Sequence, residues 1–85
     1  MASLHIGFGA ENIRTVAEAA ARYVTLREAS RRNGFTDWPD GLIKQPNGPT
    51  YWISTNGRVW VGTKYKPGQP EIRQGSPEWD AALNV

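Results

Sequence analysis

The chain has no cysteine, a single histidine and no long apolar run. Without cysteine there is neither a disulfide framework nor a thiolate metal site, which argues against a secreted mini-scaffold. His5 cannot build a zinc site unaided. No stretch approaches the ~20 apolar residues that a membrane-spanning helix needs. The opening "MASLHIGFGAENIR" has no early basic region and no extended apolar segment, so it does not read as a secretory signal. These absences lead us to expect a cytoplasmic protein with no membrane attachment.

Catalytic motifs are missing too. "GFGAEN" resembles a glycine-rich phosphate loop only faintly: Asn12 stands where the third glycine belongs, and no βαβ unit of sufficient length follows. A nucleophile triad would need His5, which has no paired acid nearby in the sequence. Asp37 and Asp40 flank a Trp-Pro turn, where carboxylates more often form turns than do acid–base work. No ligand spacing for a metal appears. The expectation is a protein that is not an enzyme and that uses no cofactor.

What is present is one small domain of 85 residues. A chain of this size buries roughly 60–65% of its unfolded surface, enough for marginal stability without staples. Ten basic residues stand against eight acidic ones, a net of +2, modest for a dedicated nucleic-acid binder. The surplus lies in the first half: residues 10–33 hold five arginines and three acids, and the remainder is balanced. Such a face is either simply solvated or a patch for phosphates or an acidic partner.

"LHIGFG", residues 4–9, alternates and predicts a short strand with Leu4, Ile6 and Phe8 on one side. "AENIRTVAEAAARYVTLREASRRNG" predicts a long alanine-rich helix starting near Glu11 and stopped by Asn33-Gly34. Its apolar stripe runs Ile13, Val16, Ala17, Ala20, Tyr23, Val24 and the stem of Arg27. Glu18–Arg22 and Glu28–Arg32 have ion-pair spacing. Residues 35–49 form a turn-rich connector, from which Phe35 and Trp38 cap the core and residues 42–45 add an edge strand. "EIR" offers another edge strand, and Ser76-Pro77-Glu78 starts a C-terminal turn that docks Trp79, Ala82 and Leu83.

"YWISTNGRVWVG", residues 51–62, predicts a hairpin with Asn56-Gly57 as a two-residue type I′ turn, both positions at positive φ. That register pairs Ile53 with Trp60 and Trp52 with Val61. Tyr51, Ile53 and Trp60 then share one face, and Trp52, Val59, Val61 and Tyr65 the other. Neither face is polar, as an exposed face would be. One helix covers only one of them. The second is closed by the C-terminal turn, wrapped by the Phe35/Trp38 loop, or left for a homodimer or another partner.

The fold expected is therefore α+β: a long helix on a small antiparallel sheet, in the order β-α-β-β-β with a short C-terminal turn. The function expected is a non-enzymatic protein-binding module that occupies a surface of a larger protein or nucleoprotein complex. Tyr51, Trp52, Asn56, Arg58 and Trp60 of the hairpin and Arg27, Arg31 and Arg32 of the helix would form its partner-binding surface, since Trp, Tyr and Arg dominate interface energies. In size and lack of motifs the chain looks like the small inhibitors that phages and mobile elements carry, including anti-CRISPR-type proteins that block bacterial defence complexes. The alternative is a small nucleic-acid-binding protein, with the hairpin tip at bases, Lys64 and Lys66 behind it, and the Arg22/Arg27/Arg31/Arg32 region at phosphates.

Overall fold

The computed structural model describes residues 2–7, 9–34, 38–63 and 68–83. The helix is shorter than its sequence suggests. α1 spans Val16–Arg32, and Thr15 is its N-cap, with the Glu18 amide donating to Thr15 Oγ1 at 3.0 Å. Thr15-Val-Ala-Glu18 is the S/T-x-x-E spacing that marks a helix start. Glu18, not Glu11, is the acid of the first turn, and Arg31 and Arg32 close the last one beside the negative pole they complement. Gly34, at φ +88°, turns the chain away as expected, its amide bonding the Arg31 carbonyl. Val16, Ala19, Ala20 and Tyr23 are the buried residues of this helix.

The residues assigned by their composition to the start of the helix form a strand instead. β1 (Ser3–Ile6) and β2 (Gly9–Asn12) are a hairpin joined across Gly7, which sits at φ +58°. Phe8, which the alternation places beside Leu4 and Ile6, lies outside the described residues. Ala10 and Glu11 have weak strand propensity; pairing with β1 and an Arg22–Glu11 ion pair of 2.7 Å fix them there. That pair replaces the Glu18–Arg22 contact expected within the helix. Glu28 likewise meets Arg27 and Arg31 rather than Arg32.

β3 (Gly41–Lys44), β4 (Tyr51–Ile53), β5 (Val59–Val61) and β6 (Glu71–Ile72) follow α1 as an antiparallel meander. The six-stranded sheet runs β2-β1-β3-β4-β5-β6. β3 is thus an interior strand, not an edge, because β1 pairs along its other side. The architecture is the expected α+β fold, closed by a single turn of helix, α2 (Pro77–Asp80).

The hairpin register differs by one residue from the two-residue-turn expectation. Tyr51 pairs with Val61, Trp52 with Trp60 and Ile53 with Val59. The loop is Thr55-Asn56-Gly57: the Gly57 amide bonds the Ser54 carbonyl at 2.8 Å, and the Ser54 amide bonds the Arg58 carbonyl at 2.9 Å. Gly57 alone in this loop has positive φ, +87°, so a type I turn followed by a left-handed glycine replaces the type I′ turn. One step of register moves every side chain to the other face. Trp52 and Trp60 now share a face, and Ile53, Val59, Tyr51 and Val61 share the opposite one.

That second set lies beneath α1. Leu4, Ile43, Ile53 and Val59 are fully buried with Val16, Ala19 and Tyr23. Burying each large aliphatic side chain stabilises by roughly 1.5–3 kcal/mol. The small faces of Ala19 and Ala20 let the helix lie close, and a Cβ added to Gly41 would stand 3.0 Å from Tyr23 Cδ2. Tyr23 donates its hydroxyl to the Pro39 carbonyl at 2.9 Å. Trp38 packs against this core with its ring centroid 6.4 Å from Tyr23, and Trp79 and Leu83 join it from the C-terminal segment. Phe35 lies outside the described residues. Ala82 remains exposed, although its backbone bridges Thr15.

Candidate interaction surface on the outer sheet face

Trp38 and Trp79 belong to the two segments expected to be able to cover the second sheet face. Both side chains pack on the core side instead. The pairings carry a single cross-strand row over the other side: Ala10, His5, Leu42, Trp52, Trp60 and Glu71, one residue per strand. Leu42, Trp52 and Trp60 are half-buried, and none of them belongs to the core. Residues directly opposite each other in an antiparallel sheet have Cβ atoms about 4.5–5.5 Å apart. Two indoles and a leucine on adjacent strands therefore form one continuous apolar strip.

Polar groups stand at both ends of the strip. At the β1 end, His5 Nε2 lies 2.8 Å from Ser3 Oγ, two residues along the same strand face. At the β6 end, Arg58 forms two hydrogen bonds of 2.7 Å to the two carboxylate oxygens of Glu71. The same guanidinium carbon sits 4.9 Å from the Trp60 ring centroid. Arg58 thus bridges the indole and the carboxylate, a cation over a π-face held in place by a bidentate pair. The Arg58 hydrogen bonds hold the Glu71 carboxyl below the usual carboxylate range, against burial, which pushes it up. The same bond raises the Arg58 pKa above its ordinary value.

The other expected contact residues have different placements. Tyr51 lies on the core side, packed against buried residues, because of the register. Asn56 accepts the Arg58 amide at 3.1 Å and the Ser54 hydroxyl, so its side chain builds the turn. Arg27, with its side chain 13% exposed, donates to the Thr55 carbonyl and to Glu28. It clamps the helix to the hairpin tip. Arg31 pairs with Glu28 at 3.3 Å, and Arg32 is exposed. The helix and the tip are brought together as the nucleic-acid reading requires, but Arg27, Arg31 and Arg58 are each already held by a carboxylate. Lys64, Tyr65, Lys66 and Asp37 lie outside the described residues.

Sequence reasoning missed Leu42 and Glu71 as members of this surface. Leu42 was hidden by the reading of its strand as an edge. Glu71 stood in "EIR", read as an additional edge strand with no role given to its outer side. The signal for Glu71 was its position opposite Trp60 once the third hairpin strand is paired. Among the described residues no cluster of three metal-ligating side chains occurs, and no helix is long and apolar enough to cross a membrane. No protein-family model matches the chain, and no curated protein or solved structure shows significant similarity to it.

Proposed function

We propose that the chain is a non-enzymatic protein-binding module whose interface is the outer face of its sheet. One observation carries this reading: Trp52 and Trp60 stand directly opposite each other, beside Leu42, on the face away from the core. A sheet face with no partner to meet is ordinarily polar. Indoles and arginines are the side chains around which interface hot spots form. The partner is a protein surface with exposed apolar side chains, large enough to seat a flat sheet face. Blocking a larger machine by covering such a surface is the mode of action we assign. A phage- or mobile-element-borne inhibitor of a bacterial defence complex is the form of it that size and lack of motifs favour.

The test is capture from source-organism lysate by tagged chain, with nuclease and high salt as separate arms. Trp60→Ala and Leu42→Ser run beside the wild-type sequence, each with its melting curve. Retention of one stoichiometric protein through both treatments, lost in the two variants at nearly unchanged melting temperature, is the expected result. Steep loss with salt, or recovery of nucleic acid, would instead favour nucleic-acid binding at the arginine-bearing end.

A further inference from the structure

The sheet has two outer strands, and their free edges differ. β6 is blunted: it is two residues long, Pro70 precedes it, and the Arg73 carbonyl that follows already accepts the Ser76 amide at 3.0 Å. β2 carries neither proline nor lysine. The direction of its main-chain groups follows from one bond. The Ile13 amide donates to the Ala2 carbonyl at 3.1 Å, next to the β1–β2 ladder. Hydrogen-bonded and non-hydrogen-bonded pairs alternate along an antiparallel ladder. Glu11 and Gly9 therefore turn their N–H and C=O groups to β1, while Ala10 and Asn12 turn theirs away from it. Ala10 and Asn12 are exposed, and among the described residues nothing bonds their outward groups.

Further along, the same edge is already in use. Arg14 is next in the outward series, and its carbonyl accepts the Leu83 amide at 2.7 Å beside an antiparallel bridge between Thr15 and Ala82. The chain's own C-terminal segment thus meets this edge as an added antiparallel strand does. Beside the free stretch, between β2, β1 and α1, lies a cleft of about 230 Å³. Its accessible walls are Ile6, Leu26 and Trp38, each partly exposed, and Gly9 and Ala10 form its lip. Gly9 has no side chain to close that lip. The carboxylate on the wall, Glu11, is paired with Arg22 at 2.7 Å.

We propose that the β2 edge binds an extended segment of the partner as an added antiparallel strand, with an apolar side chain of that segment in the cleft. Main-chain bonds to Ala10 and Asn12 supply the attachment, and the cleft selects the side chain that stands opposite Gly9. Pleating puts that side chain on the helix face. It puts the residue opposite Ala10 on the outer face, in line with His5, Leu42 and Trp52. The added strand therefore continues the surface already assigned to the partner. The inference rests on the protein-binding reading and adds to it how the partner is held. A second copy of the chain fits less well. The register that joins Ala10 of one copy to Asn12 of the other sets Glu11 against Glu11, like charges directly opposed.

The experiment is an NMR titration of the full chain with acetyl-Thr-Val-Lys-Val-Leu-Thr-amide. Its valines meet Asn12 and Ala10, its lysine faces Glu11 and its leucine meets Gly9. The comparison ligands are the same peptide N-methylated at both valines and one with asparagine in place of leucine. The parent peptide is expected to shift the Ala10 and Asn12 amides and the Trp38 indole, and to slow hydrogen exchange at both amides. N-methylation should weaken it roughly ten-fold or more, since two donors are lost. The asparagine peptide should bind more weakly and leave the Trp38 indole in place. Ala10→Pro deletes an outward N–H without breaking the β1 ladder and should weaken the parent peptide roughly two- to ten-fold. Equal affinity for either comparison peptide, or no response at Ala10 and Asn12, would overturn the proposal. So would protection of these amides in the free chain that rises with its own concentration, which would give the edge to a second copy. The Trp60 indole reports the sheet face separately. Failure at the edge with Trp60-dependent capture intact would remove strand addition and leave the outer-face interface standing.

Discussion

Under α1, the sheet presents Ile43, Ile53 and Val59 with no exposed surface at all; on its other side it presents Leu42, Trp52 and Trp60, each half-buried. The two sets come from the same three strands and alternate along them residue by residue. They differ in shape. Branched aliphatic side chains fill the shallow space beneath an alanine-faced helix, where indoles would hold the helix away. On β4 and β5 the two indoles lie on the face away from α1. Burial on the first face stabilises the fold. The half-buried apolar side chains of the second are those that the proposed interface would use.

Removing side chains from each face should separate these roles. Ile53→Ala is expected to cost roughly 2–4 kcal/mol in urea unfolding, because a sealed core cannot collapse round the lost volume. Leu42→Ala, its outer-face counterpart, should cost less than about 1 kcal/mol. Comparable losses at the two positions would mean that the outer face is covered as fully as the core.

Tyr23 ties the core to pH. Burial, with Asp40 nearby, pushes its phenol up to about 12 from 10.0. The neutral form is the one the fold favours, so this stability is complete below about pH 10 and is lost as pH rises towards 12. A two-unit shift is on the order of 2–3 kcal/mol. Alkaline unfolding that coincides with phenolate absorbance, and is absent from Tyr23→Phe, is the expected signature. No outer-face variant should alter it.

Gly57→Val tests the tip that both faces share. A branched side chain at φ +87° is strained, and its Cβ would lie 3.2 Å from Val24 Cγ2. The expected cost is about 2 kcal/mol, read as a lower melting temperature. The smallest effect belongs to the outer rim. Glu71 has a depressed pKa in the fold, so the Arg58 pair contributes above the ordinary carboxylate range and is lost as pH falls through the folded value. Glu71→Gln should flatten the acid limb of the stability profile slightly and leave the alkaline limb unchanged.

The alternation of "LHIGFG", the alanine-rich helix and the turn residues made the α+β class legible in the sequence. The start of the helix was misjudged because Ala10 and Glu11 have helical composition, while pairing with β1 decides their state. The Thr15–Glu18 capping spacing carried the correct boundary. The hairpin was legible in type and misread in register, since Asn-Gly serves both a two-residue turn and a three-residue loop ending in a left-handed glycine. Shape could have chosen between them: only the longer loop gathers Ile53, Val59 and Val61 on one side and both tryptophans on the other. For the site, Trp52, Trp60 and Arg58 were visible as side chains of interface type. Their union with Leu42 and Glu71 was not, because it depends on β3 being interior and β6 pairing with β5.

Oxidative footprinting of the four tryptophans, in the free chain and in the captured complex, bears most directly on the outer-face interface. In the free chain Trp60 should oxidise at least as readily as Trp38 and Trp79, which pack on the core. In the complex Trp60 and Trp52 should become protected and Trp38 should not change. Trp60 oxidising equally in both states would contradict the account and place the partner elsewhere on the molecule.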